Sequence, residues 1–409
     1  MAGVGHTANH LSSREGEWVI KLLFEVGHLY HRAALDPLYH VFRQDPRYEI
    51  EFSCSYDAEG RLGVFNRSLR HELEARFRDE GLTVTKDTRG FDVVIVGDTV
   101  RDPQRYGSTL LCLVNHGTGF KNILYRNLQA QPHTRYQVFV EGDYRAHNIR
   151  RAGVEGRSTI HKVGLPKLDP LFRADYLTRT QILCRLGLDP ERPTVLFAPT
   201  YKPTCIDRVR ESIIEATRGY NLIIKLHQYS WRGKYAPHWH HTIYERAVIQ
   251  TSHAVLIPVD DYNILPYMHA ADTLLSEASS TIFDFLALDK TGIIFVLPDE
   301  VLRHHNGEPL LSEDPQQFLS GAFLHIHHPD QIRDAIAAAL TPDPERRRMA
   351  LQYRDAYFYG LDGQSALRTK AKIERLLDEG GHLNDPQERP WLRRRKWARP
   401  SGTYITVRP

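Results

Sequence analysis

The chain is expected to fold as an α/β protein with two Rossmann-like domains facing each other across a central cleft. Short, continuously apolar runs recur along it, separated by amphipathic helical stretches. That alternation is the mark of parallel strands covered by helices on both faces. The series occurs twice, and 409 residues are too many for one hydrophobic core.

In the first half, the apolar run 18–25 leads into Gly27-His28. Strands are then expected at 48–53, 92–96, Leu110–Val114 and Gln137–Val140, with helical stretches such as 67–80 between them. In the second half, strands are expected at 194–198, 222–226, 254–258, Thr273–Ser276 and 292–297. The join falls near 169–179, after the loop G-L-P-K-L-D-P-L-F, giving domains 1–172 and 173–375 and a tail 376–409. No internal repeat or low-complexity linker interrupts this order.

Composition excludes several classes. Apolar content of 41% and charged content of 25% are those of a globular protein, and a net charge of +3 is too small to argue for a nucleic-acid partner. Cys54, Cys112, Cys184 and Cys205 are scattered, which reads as reduced thiols of a cytoplasmic protein and not as a disulfide frame or zinc site. The first fourteen residues lack the apolar core of a signal peptide, and no run of eighteen apolar residues could span a membrane. The N-terminal dozen residues are expected to be disordered.

Ligands of parallel sheets bind at the carboxyl ends of the strands. Leu110–Val114 delivers N-H-G-T-G-F-K there, with His116, Gly117, Thr118 and Lys121. The strand 194–198 delivers P-T-Y-K, with Thr200 and Lys202; the strand 222–226 carries Lys225 and ends in His227. Thr273–Ser276 runs through a small turn into a helix that begins at Ser279, Ser280 and Thr281. Free N–H groups and hydroxyls at a helix start bind anions, although an isolated S-S-T is more often a plain N-cap. With histidines and lysines converging from neighbouring strand ends, the cluster reads as a nucleotide-diphosphate site. Glu141 and Asp143 follow Gln137–Val140 at the same edge and are candidate acceptor contacts.

The ordered motifs H-G-T-x-x-K, A-P-T-Y, K-L-H and S-S-x-x-F-D-F, with G-L-P-K-L-D and a late D-G-Q-S-A at 362–366, resemble the CDP-glycerol glycerophosphotransferases. These are teichoic-acid and capsule polymerases of glycosyltransferase-B architecture, and the resemblance covers roughly residues 90–370. It departs from the family at Gly119, where proline is usual, at Gln228, and at Ser276-Glu277-Ala278 in place of T-D-Y. These positions bear on which polyol and acceptor are used. The resemblance implies transfer of a polyol phosphate from a CDP-linked donor to a hydroxyl of a lipid-linked or oligomeric acceptor, with release of CMP. It gives His116 the part of general base. His227, the helix start and a lysine suit the charge that builds on the departing diphosphate. Thr200, Lys202, Lys225, Ser279, Ser280 and Thr281 are then donor residues, and Gly117, Thr118, Lys121 and Glu141 line the acceptor side. A sugar transferase of the same fold, or a non-catalytic polyanion or lipid binder, are the competing classes.

No paired-carboxylate motif appears at the strand ends, so no cofactor is expected and the protein itself is expected to supply the positive charge. Asp284 is expected to pack or cap locally. H-W-H-H at 238–241 and H-I-H-H at 325–328 are expected in surface loops, and Asp260-Asp261 at a helix N-cap. Finally, R-P-W-L-R-R-R-K-W-A-R-P from Arg389 combines four consecutive cations with Trp391 and Trp397. Such a tail suits an anionic membrane surface, and places the enzyme on the cytoplasmic face of the membrane.

Overall fold

The computed structural model describes residues 19–379, apart from 55–57, 62–64, 69, 120, 233–238, 278, 299–300, 304–308, 312–313 and 315. The N-terminal dozen and the tryptophan-flanked basic tail lie outside these residues.

Fourteen strands are described. In the first domain they are β1 (Ile20–Val26), β2 (Tyr48–Cys54), β3 (Ala58–Arg61), β4 (Phe65–Ser68), β5 (Val93–Val96), β6 (Leu110–Val114), β7 (Gln137–Val140) and β8 (Thr159–Lys162). The second contains β9 (Thr194–Phe197), β10 (Asn221–Ile224), β11 (Ala254–Leu256), β12 (Thr273–Ser276), β13 (Ile293–Phe295) and β14 (Leu324–Ile326). The first sheet runs β2-β1-β5-β6-β7-β8 and the second β11-β10-β9-β12-β13-β14, both wholly parallel. β3 and β4 form a separate antiparallel hairpin. Strands β5, β6, β9 and β10 are buried along their whole length because helices cover both faces, which is why they read as unbroken apolar runs.

In each sheet the winding reverses once, between β1 and β5 in the first and between β9 and β12 in the second. A crevice opens at the carboxyl ends of the strands at such a reversal, and ligands bind there. Two crevices therefore exist, one per domain.

The chain does not stay in its second domain. Helix Pro344–Tyr357 brings Tyr357 against Tyr144 of the first domain, with ring centroids 4.2 Å apart. Helix Ser365–Glu379 then packs Ala366, Ile373, Leu376 and Leu377 into the first domain's core. These four recur at helical spacing, and each large apolar side chain so buried contributes about 1.5–3 kcal/mol. The Asp169 carboxylate starts the helix by accepting from the N–H groups of Ser365 (3.0 Å) and Ala366 (2.7 Å). The G-L-P-K-L-D and D-G-Q-S-A motifs thus meet as a structural joint. The boundary at 375 falls inside this helix.

Three expectations are corrected. His240 is not in a surface loop: it is buried at the start of helix His240–Val248, with Nε2 3.1 Å from Asp207. His238 lies outside the described residues. His325 sits in β14, an edge strand whose mixed burial hid it among histidines, while His327 and His328 are exposed. Neither Asp260 nor Asp261 caps a helix. Asn263 caps Leu265 N–H at 3.1 Å, and Asp261 accepts from the Tyr267 hydroxyl.

Candidate functional site

β6 ends at Val114, and the turn after it presents His116 half-buried at the cleft. Its Nδ1 lies 2.7 Å from the carbonyl oxygen of Gly97, which follows β5. A carbonyl only accepts, so Nδ1 carries the proton and Nε2 keeps its lone pair. Burial lowers the affinity of the ring for a further proton, and Lys167 nearby adds to this against the opposing pull of Asp98. A neutral imidazole with its Nε2 lone pair kept can accept a proton at the cleft.

His227 is held in the opposite sense. It follows β10, and its Nδ1 accepts from the N–H of Tyr229 at 3.2 Å. The neutral ring must then carry its proton on Nε2 and can only donate from there. Burial, then Lys121 and Lys225, hold its pKa well below the ordinary imidazole value, so it is neutral near pH 7. The two rings come from different domains and flank Tyr30, whose ring centroid lies 5.4 Å from His116 and 5.5 Å from His227.

β12 and the helix Ser280–Leu286 after it form the third wall. Ser279 is the N-cap: its hydroxyl oxygen accepts from Thr281 N–H at 3.4 Å and from the Thr281 hydroxyl at 3.0 Å. Gly117 closes on this helix start so tightly that a Cβ there would lie 3.1 Å from Ser280 Cβ and Oγ. Lys121 Nζ reaches Thr200 Oγ1 at 3.5 Å across the cleft. Burial lowers the Lys121 pKa, opposed by Glu277. Lys225 is also buried, and burial pushes its ammonium down to about 8. Thr118 is buried with an unpartnered hydroxyl at the same junction.

Glu277 stands behind the wall as a strut. Its carboxylate accepts from Thr200 N–H (3.0 Å), Cys205 N–H (3.2 Å) and Cys205 Sγ–H (3.3 Å), holding the loop after β9. Burial raises its pKa to about 7. Asp284 is buried too and does not cap locally; it pairs with Lys167 of the G-L-P-K-L-D loop. Among the described residues, no group of three or more His, Cys, Asp or Glu is arranged to hold a metal ion.

His116, His227, Thr118, Lys121, Thr200, Lys225, Ser279, Ser280 and Thr281 therefore line or back one cleft, with Gly117 as its closest seam. Lys202 is exposed. Glu141 is withdrawn: it is 2% exposed and paired with Arg145 at 3.0 Å, so helix Asp143–Arg151 consumes its charge before it can face a ligand. The expectation missed His28, Tyr30 and His31, which extend the cluster, with His31 4.6 Å from His116. It also missed Tyr201 and Tyr229, 4.5 and 5.2 Å from His227. The signal was present: G-H-L-Y-H follows the first apolar run of the chain, where the strand-end rule applies as well.

No curated protein matches this chain in sequence. Among solved structures, wall teichoic acid polymerase TagF is 15% identical with a TM-score of 0.57, covering 87% of this chain and 88% of that one. A histidine-to-asparagine variant of TagF soaked with CDPG for 15 minutes gives a TM-score of 0.60 at 13% identity and the same coverage. UDP-GlcNAc 2-epimerase from Neisseria meningitidis, bound to UDP-GlcNAc, gives 0.54 at 14%, covering 88% of this chain and 100% of that one. Likeness at this level establishes a shared fold, of glycosyltransferase-B type. The profile of the family described as CDP-Glycerol:Poly(glycerophosphate) glycerophosphotransferase matches residues 116–375, from His116 to the helix that returns to the first domain. With well over half of its length matched, and the family's motifs gathered at one cleft, the chain belongs to the CDP-glycerol:poly(glycerophosphate) glycerophosphotransferase family.

Proposed function

We propose that the enzyme transfers glycerol phosphate, or a related polyol phosphate, from a CDP-linked donor to a hydroxyl of a lipid-linked or oligomeric polyol-phosphate acceptor. The observation that carries the division of labour is the opposite hydrogen bonding of His116 and His227. His116 Nε2 removes the acceptor hydroxyl proton as the oxygen attacks the β-phosphorus. A new P–O bond forms to the acceptor, the bridge between α- and β-phosphates breaks, and CMP leaves with the bridging oxygen. His227 Nε2–H, Lys121, Lys225 and the hydroxyls of Thr200, Ser279, Ser280 and Thr281 stabilise the charge that grows on the diphosphate. The basic tail from Arg389 to Pro400 supports work on a lipid-linked acceptor at an anionic membrane face. No described helix is long and apolar enough to cross a membrane.

A donor screen tests this. CDP-glycerol, CDP-ribitol and several nucleotide sugars are supplied with an oligomeric acceptor, CMP release is measured, and phosphorus NMR identifies the new bond. A phosphodiester formed from a CDP-polyol is the expected product. A glycosidic product from a nucleotide sugar overturns the proposal.

A further inference from the structure

Asn122 occupies the N-cap of helix Ile123–Gln129. An asparagine there ordinarily turns its side-chain oxygen onto the free N–H groups of the first helical turn. Asn122 makes no such bond. Its carboxamide leaves the first domain instead. Nδ2 donates to the carbonyl oxygens of Pro309 (3.0 Å) and Leu311 (3.1 Å), and the backbone N–H donates to that of Leu310 (3.0 Å). Three successive carbonyls of the second domain thus accept from one residue of the first. A carboxamide carries two N–H donors on one nitrogen, which a hydroxyl or a carboxylate at this position could not supply.

The segment that receives these bonds is anchored in the second domain. Leu302 and Leu311 are buried in its core, Leu310 N–H donates to Leu302 O at 2.9 Å, and Arg303 and Pro309 form an antiparallel bridge. Leu311 in turn bridges Lys121, again antiparallel. Lys121 is therefore held at both ends. Its backbone lies on the segment that follows β13, and its Nζ is 3.5 Å from Thr200 Oγ1 in the loop after β9. The turn fixed in this way is the one that carries His116.

We infer that Asn122 is a positioning residue for the transfer reaction: by clasping residues 309–311 it sets Lys121 against the donor wall of the opposite domain. Domains of one chain move relative to each other unless something ties them. With the clasp made, a cation of the first domain stands beside Thr200 of the second. With it broken, Lys121 drifts from that wall, and the donor diphosphate loses a charge-assisted bond. Displacement of a site group by about 1 Å is enough to cost about 100-fold in rate. This role rests on the proposed contact of Lys121 with the diphosphate, which Lys121→Ala tests by itself.

A double-mutant cycle on the full chain tests it, with CDP-glycerol titrated by calorimetry into wild type, Asn122→Ala, Lys121→Ala and the double variant. No capping bond is lost in Asn122→Ala, so helix Ile123–Gln129 should persist. Lys121→Ala is expected to weaken CDP-glycerol binding about tenfold or more, and Asn122→Ala about three- to tenfold, as a charge-assisted contact is removed or misplaced. The double variant should bind within about twofold of Lys121→Ala, because a residue that acts through Lys121 has nothing left to lose without it. A merely structural role would make the two losses multiply. Asn122→Asp keeps the shape but turns a carboxylate onto the carbonyls, so it should bind more weakly than Asn122→Ala. Amide hydrogen exchange at 121–123 and 309–311 should quicken in both Asn122 variants. Multiplying losses, or unchanged donor affinity in both Asn122 variants, overturn the inference while leaving Lys121 as a donor contact. Unchanged exchange in both segments overturns the clasp itself. Unchanged affinity in Lys121→Ala sinks the proposed contact of Lys121, and the role of Asn122 with it.

Discussion

Two imidazoles of identical chemistry take opposite tautomers from single backbone contacts, a carbonyl at His116 and an N–H at His227, and the complementary tasks proposed for them rest on that difference. His116→Ala should therefore lower kcat by about 100-fold or more with donor affinity little changed, since general-base contributions run at that size. Wild-type kcat/KM should fall as pH drops, because only the neutral ring accepts a proton. Its midpoint should lie below the ordinary value of 6.5, because burial lowers the pKa. A midpoint above 6.5, or near-normal turnover in the variant, would remove His116 from the proton transfer. In the proposed mechanism His227 donates to the diphosphate in ground and transition states, so His227→Ala removes a binding contact. It should weaken CDP-glycerol and CMP binding together, by about 1.5–3 kcal/mol, and calorimetry with both ligands checks this.

At the scale of elements, the cleft depends on struts that touch no ligand. Glu277 holds the loop after β9, and its pKa is raised from 4.5 to about 7 by burial. The folded state then binds more protons than the unfolded one between those values, so this group's contribution falls as pH rises through that window. Glu277→Gln keeps the acceptor oxygen without the titration. Relative to the variant, the wild type should lose stability from pH 4.5 to 7 by at most about 1.4 kcal/mol per pH unit. Denaturant melts at several pH values measure it, and parallel curves would show that Glu277 does not titrate there. The seam between the turn at Gly117 and the helix Ser280–Leu286 is equally exacting. Gly117→Ala places a methyl 3.1 Å from Ser280 Cβ and Oγ, and overpacking of this kind costs about 1–3 kcal/mol. Donor affinity should drop, with the melting temperature falling less than for a core truncation; an unchanged donor Kd would show that the seam yields freely.

The whole molecule is two parallel sheets whose switch points open toward one cleft, closed by a chain that returns to its first domain through helix Ser365–Glu379. Gly117 against Ser280, Lys121 against Thr200 and Lys167 against Asp284 all bridge the halves. The membrane role proposed for the tail belongs to this scale as well. Deleting 389–409 should abolish sedimentation with anionic vesicles at low salt while leaving turnover on a short soluble acceptor largely intact, since each cation near the surface contributes about 1 kcal/mol. The binding should weaken as salt shortens the Debye length. Equal sedimentation of the truncated chain would place membrane contact elsewhere.

What the sequence determined by itself was whatever local patterning encodes. Continuous apolar runs give parallel strands, and parallel strands imply carboxyl-end sites, so His116, Lys121, Thr200, His227 and Ser279–Thr281 were legible before any coordinates. The edge strands β8 and β14 were not, because short edge strands lack the double-sided burial that writes an apolar run; the hairpin β3–β4 was not expected either. Side-chain pairing was equally invisible. Glu141 looked like a cleft carboxylate open to an acceptor and Asp284 like a local packing or capping group, and only the fold handed them Arg145 and Lys167. The tautomers of His116 and His227 are tertiary facts of the same kind, set by which backbone group lies beside Nδ1. Residue types and their order record which groups reach the cleft; the long-range contacts decide which of them arrive there unspent, because a buried charge takes the nearest partner the fold supplies.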